Sequence, residues 1–162
     1  MDKHKNKIFL ALASGLLLGM PWCVPDLFLL VFFAWVPLWV LEEDLRHHPN
    51  PYAVFNYALV SFLLWNILGT WWITQVQFLG GVLIILANAL LQAFVFWLVS
   101  RIRTLLGMSL LFPFLGIWMG YEHLHLSWDL AWPWLNMGNA LATAPKFIQW
   151  YEFTGVRGGT LW

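Results

Sequence analysis

The sequence predicts an all-α integral membrane protein of about five transmembrane helices, beginning with a short helical hairpin and ending on a Trp-rich interfacial or re-entrant loop. Three observations predict it. Of the 162 residues, 61% are hydrophobic and 10% are charged, with a mean hydropathy of +0.71. A soluble domain carries about 25% charged residues, so this chain lacks the charge to cover a globular surface and needs lipid as solvent for much of its length. The apolar residues gather into five segments separated by short polar or Gly/Pro-rich breaks. The 13 Trp fit a chain whose span ends meet the membrane–water interface, where indole rings concentrate. Net charge is zero and no basic stripe interleaves with the aromatics, so nothing points to nucleic acid. Cys23 is alone, which rules out an intrachain disulfide.

The first segment, Ile8 to Met20, ends at Pro21-Trp22-Cys23-Val24-Pro25, and the second, Leu27 to Leu41, stops at Glu42-Glu43-Asp44-Leu45-Arg46. Both are shorter than the ~20 residues a perpendicular helix needs. They read as a hairpin turning at Pro21 to Asp26, each arm lengthened by a few flanking residues. The third segment runs from Tyr52 to Ile73, the fourth from Leu79 to Val99, and the fifth from Met108 to Tyr121. Pro37 and Pro113 fall inside spans, where neighbouring helices can satisfy the backbone group that proline frees. The expected layout is a bundle over residues 1–121 and an interfacial loop over 122–162 that leads into a further span.

Orientation follows from the basic residues. Lys3, Lys5 and Lys7 precede the first span, Arg46 follows the second, and Arg101 and Arg103 follow the fourth. With alternating spans these lie on one side, and the opposite turns hold no Lys or Arg, so the N-terminus is expected in the cytoplasm. Six of the eight basic residues agree. A secretory signal peptide is the competing reading of the start, with Cys23 as a lipidation site. Bulky Trp22 before Cys23 and the flanking Pro21 and Pro25 argue against cleavage there.

The stretch Tyr121 to Trp162 is too polar to span and too aromatic for a free linker. Broken by Pro133 and Gly138, it reads as a loop in the interface or dipping back into it, which irregular backbone tolerates only against protein or water. On composition alone an ordinary aromatic belt is the simpler account. His123 and His125, with Glu122 and Asp129, offer metal-ligand types, but His-x-His on a helix separates the side chains by about 200° and no Cys joins them. No metal is expected. No Gly-x-Ser-x-Gly is present; Ser14, Ser61, Ser100 and Ser109 lie in or beside apolar spans, and Cys23 has no neighbouring His to activate it. Asn66, Asn88 and Gln92 are polar within hydrocarbon, and Asn88 and Gln92 share a helix face. Interhelical hydrogen bonds explain them at roughly 1 kcal/mol each; a polar substrate path is the sharper reading.

Certain landmarks go further. The Pro21 to Pro25 turn between short spans, then Gly69-Thr70-Trp71-Trp72-Ile73 with Gly80-Gly81, resemble the membrane half of apolipoprotein N-acyltransferases. Glu122 followed by Trp132-Pro133-Trp134-Leu135-x-x-Gly138 is similar to that family's acidic residue and Phe/Trp-Pro-Trp-Leu loop. The run Gln149-Trp150-Tyr151-Glu152-Phe153-Thr154-Gly155-Val156-x-Gly158-Gly159-Thr160-Leu161-Trp162 is similar to its segment leading into the next span. The resemblance covers essentially the whole chain, and its last fifty or so residues are the diagnostic part.

The resemblance implies a multi-pass protein of the bacterial inner membrane, with the loop on the periplasmic side. It implies transfer of an acyl chain from a phospholipid donor to the N-terminal cysteine of an apolipoprotein acceptor, with no cofactor. In that family the chemistry belongs to a nitrilase-like α/β domain with a Glu-Lys-Cys triad, whose cysteine holds the acyl group as a thioester while the glutamate acts as general base. This chain ends at Trp162 before such a domain, and Cys23 belongs to the first hairpin. It is therefore expected to be catalytically inert alone, and Gly155 to Trp162 reads as a truncated helix start, the mark of a fragment. The expected substrate lining is Glu122, Trp132, Pro133, Trp134, Gln149, Trp150 and Glu152, with apolar walls for acyl chains and indole N–H donors at headgroup level. The alternatives are a small transporter or channel subunit, with Asn66, Asn88 and Gln92 on its path, or a membrane scaffold.

Overall fold

The computed structural model describes residues 3–129 and 131–161. Helix α1, Lys3–Cys23, has 21 residues and spans about 31 Å, the thickness of a bilayer core. It absorbs Pro21 in its last turn, where the lost N–H costs a single bond near the helix end. The second arm runs through a tight 3-10 segment, Pro25–Leu30, then α2, Val31–Ala34, and α3, Val36–Leu45. Pro37 explains the break at Trp35: it has no N–H for the Phe33 carbonyl, and its ring crowds that turn. Ser14 of α1 donates its hydroxyl to the Ala34 carbonyl at 2.6 Å, so a neighbouring helix supplies a donor at the break.

Helix α4, Ala53–Thr70, is followed by the single turn α5, Ile73–Val76, and by α6, Phe78–Leu106, of 29 residues. Gln77 caps α6 by accepting from the Gly80 N–H. Gly107, at φ 63°, closes its far end in the left-handed conformation that glycine adopts freely. Helix α7, Leu111–Ser127, has 17 residues, about 25 Å. Among the described residues, four stretches are long and apolar enough to cross a membrane: Lys5–Cys23, Pro25–Leu45, Ala53–Thr70 and Phe78–Leu106. The fifth expected segment lies on α7, whose last turns carry Glu122, His123 and His125. Among the described residues no strand occurs.

Close packing of α1 on α4 depends on Gly15 and Gly19. A Cβ on Gly15 would sit 2.6 Å from the Ser61 carbonyl oxygen, and one on Gly19 would sit 2.6 Å from Leu68 Cδ1. Ser61 returns a hydroxyl hydrogen bond to the Ala11 carbonyl at 2.8 Å. The core centres on Trp35, whose ring lies 4.6 Å from Trp118, 4.7 Å from Phe114 and 5.9 Å from Phe62. Trp35, Trp65 and Trp118 are buried in the bundle, so indoles fill helix contacts as well as the interface. At one end of the bundle, fully buried Glu42 accepts from Ser100 at 2.7 Å and pairs with Arg103, which also reaches Glu43 at 2.6 Å. The C-termini of α3 and α6 therefore lie together.

After α7 the chain makes three short 3-10 turns, Pro133–Leu135, Met137–Leu141 and Pro145–Phe147, then α8, Tyr151–Thr154, and α9, Val156–Leu161. Trp162, the last residue of the C-terminal motif, lies outside the described residues. Leu135, Met137, Ala140 and Leu141 are buried, so this stretch packs back onto protein. Leu135 occupies the space beside Gly69 at the end of α4, where a Cβ would lie 2.5 Å from its Cδ2. Trp22 donates its indole N–H to the Trp134 carbonyl at 2.9 Å, and Phe147 meets Phe28 at 5.7 Å. The loop thus covers the ends of α1, the 3-10 segment and α4.

Candidate functional site

Beneath that loop lies a buried carboxylate. Glu122, 3% exposed near the end of α7, accepts from the Trp118 indole N–H at 3.2 Å, the Met137 backbone N–H at 3.0 Å and the Thr160 hydroxyl at 2.6 Å. Three donors satisfy its two oxygens, as a buried polar group requires. The Gly138 N–H is shared between Asn136 Oδ1 and Thr160 Oγ1, both at 3.2 Å. Tyr151 donates its hydroxyl to the Gly138 carbonyl at 2.8 Å. Burial pushes the Tyr151 phenol up to about 12, and the nearby Glu122 carboxylate adds to the shift. Only glycine fits at 138, because a Cβ there would lie 1.9 Å from the Val156 carbonyl oxygen.

A second polar system adjoins it. Asn66 of α4 donates to Gln92 Oε1 at 2.6 Å and accepts from Asn88 Nδ2 at 2.7 Å. Asn88 Oδ1 lies 2.9 Å from His125 Nε2 on α7, and the Trp128 indole N–H donates to His125 Nδ1 at 3.1 Å. Because the indole can only donate, Nδ1 accepts and His125 is a neutral ring with its proton on Nε2. The three polar span residues are thus satisfied across helices. His123 turns elsewhere, with Nδ1 2.6 Å from Arg157 Nη1, so the two histidines share no ligand position. Cys23 ends α1 with its thiol 3.4 Å from the Leu68 carbonyl.

The expected lining residues separate in space. Glu122 and Trp132 line one small cavity with Asn88, Gln92, Tyr121 and Asn136. Pro133 lies at the outer surface, its carbonyl accepting from Asn139 Nδ2 at 2.7 Å, and the exposed Trp134 ring meets Trp72 edge-on at 5.4 Å. Gln149 is exposed and donates to the Pro145 carbonyl at 2.8 Å, Trp150 packs 6.1 Å from Tyr151, and Glu152 is exposed on α8. None of these last three lines the cavity. Thr160, which donates to Glu122, and Asn136, which accepts from the Gly138 N–H beside it, are not in the expected set. Their signal was their place as polar residues inside the two C-terminal motifs.

Comparison with known proteins agrees with the motif resemblance. The chain is 31% identical over 157 residues to the apolipoprotein N-acyltransferase of Chlorobaculum tepidum, an alignment of 95% of this chain but 29% of that protein. The chain therefore spans less than a third of that relative's length. No solved structure matches. The family model described as the apolipoprotein N-acyltransferase N-terminal domain matches residues 14–162, which takes in the second half of the first arm, the later spans, Glu122 and the Trp loop alike. The chain belongs to that N-terminal domain family.

Proposed function

We propose that this chain is the membrane part of an enzyme that moves an acyl chain from a phospholipid to the N-terminal cysteine of lipoproteins, and that its loop presents the lipid donor. The observation that carries the reading is the buried Glu122 cluster, which fastens the Trp132 to Leu135 loop over the span ends through Met137 and Thr160. A loop so held sets indole rings and apolar walls at one level, where an ester group beside its acyl chains would lie. Glu122 and Trp132 form the inner lining and Pro133 and Trp134 the outer. Gln149 and Trp150, just before α8, and Glu152 on it form the approach toward the acceptor.

The proposed setting is the bacterial inner membrane with the N-terminus in the cytoplasm. The pairing of Arg103 with Glu42 and Glu43 supports it, because it brings the Arg46 end of α3 and the Arg101 end of α6 to one side. In an acyltransferase carrying this chain as its membrane part, replacing Trp134 and Glu152 by Ala should lower acyl transfer about ten-fold through lost positioning, with insertion intact. Unchanged transfer would remove both residues from the site.

A further inference from the structure

The geometry points to a subsite for the ester carbonyl of a diacyl phospholipid, formed by Trp132 and Asn136 where an apolar groove meets the cavity beside Glu122; it rests on the lipid-donor reading above. Asn136 is 5% exposed, and its Nδ2 is buried without a hydrogen-bond partner. The Trp132 indole N–H is likewise buried and unpartnered. Both residues line the same cavity, whose free volume of about 10 Å³ holds one oxygen-sized group. Two buried donors left unpaired cost free energy until an acceptor reaches them.

The charges around the cavity decide which acceptor fits. Glu122 lines it, and among the described residues no Lys or Arg does. A phosphate or carboxylate there would bring a charge into a buried site with no counter-charge. A neutral oxygen acceptor remains. The cavity shares Asn88, His125 and Trp132 with a groove of about 510 Å³ beside α6, walled by Ile84, Ala87, Leu91, Trp128 and Ala131, with Asp129 as its one acidic lining residue among those described. That volume falls in the range of roughly 300–1,000 Å³ typical of small-molecule sites. Beside it on α6, Leu83, Leu86 and Leu90 are exposed, so lipid chains reach the groove directly. A carbonyl oxygen at the polar end with its acyl chain along the groove satisfies both parts.

The test compares a diacyl phospholipid with its dialkyl ether analogue, identical in headgroup and chain length but lacking the carbonyls. Binding of each to the purified chain is read by native mass spectrometry, and a photoreactive acyl chain maps where the lipid sits. The expected result is crosslinking to Ile84, Leu91 and Trp128 with the ester form bound about ten-fold more tightly, a preference that Trp132→Phe abolishes. Equal binding of ester and ether, the outcome if a water fills the cavity, overturns the carbonyl subsite but leaves the lipid-donor reading intact. Crosslinking absent from the groove overturns both. An ester preference that survives Trp132→Phe in a folded variant removes the indole from the subsite and overturns the assignment.

Discussion

Thr160 donates its hydroxyl hydrogen to the Glu122 carboxylate at 2.6 Å across 38 residues of chain. One short bond thus ties α9 to α7, and the Trp loop is held between them. Replacing Glu122 by Ala strands the Met137 N–H and the Trp118 indole and leaves the Thr160 hydroxyl only Asn136 Oδ1 at 3.2 Å, and should cost about 3 kcal/mol. Glu122→Gln keeps one acceptor and should cost about 1 kcal/mol. Hydrogen exchange in detergent checks it: amides 137–141 should lose protection in the Ala variant first, and equal protection in both variants would refute the role.

Glu42 is fully buried against Arg103 and Ser100. Arg103→Ala leaves that carboxylate buried without its cation and should destabilise the bundle by about 3–5 kcal/mol. The double replacement Glu42→Leu with Arg103→Leu should recover most of the loss, because two apolar side chains need no partner. Unfolding by SDS titration measures both, and a double variant as unstable as the single one would contradict the account.

Gly15→Ala should destabilise more than Gly19→Ala. At Gly15 the nearest obstacle is the Ser61 backbone oxygen at 2.6 Å, which cannot move without shifting α4, whereas at Gly19 it is the Leu68 side chain, whose Cδ1 at 2.6 Å can rotate away and whose Cβ at 2.8 Å leaves the smaller overlap. Overpacking of this kind costs about 1–3 kcal/mol. Gly116→Ala on α7, where nothing lies within 4 Å of the added carbon, should stabilise by about 0.4–1 kcal/mol, since alanine has less freedom to lose on folding. Melting temperatures of the three variants rank the effects.

Tyr151 holds its proton more tightly folded than unfolded, since burial raises its phenol to about 12. Its contribution is present in full below the ordinary phenol value and fades as pH rises through 12, because the unfolded state loses the proton first. Phenolate absorbance of wild type minus Tyr151→Phe should give a transition near 12 in detergent. A transition near 10 would show the Tyr151 ring solvated and away from Glu122.

Much of the architecture was legible. Low charge and long apolar runs marked the four stretches able to cross a membrane, and the motifs around Trp132 and Gly158 marked the family, each signal being local in sequence. Pro37 pointed to a disturbed second arm, though the break at Trp35 and the Ser14 donor needed the neighbouring helix to be seen. Gly15-x-x-x-Gly19 is a close-contact pattern legible in the sequence, but that α4 is the helix it meets needed the structure. Trp35, Trp65 and Trp118 could not be told from interfacial indoles, because burial depends on what packs against a ring and not on its own composition.

The sequence by itself determined that this chain forms apolar helices in lipid, for hydropathy and helix length are sums over neighbouring residues. Only the tertiary structure decided which polar groups meet. Glu122 could have faced solvent, and Gln149 and Glu152 could have joined it. Instead Met137 and Thr160 did, while Asn88 joined Asn66 to His125. Hydrogen bonds act over about 3 Å and demand direction, so partners far apart in sequence are chosen by packing alone.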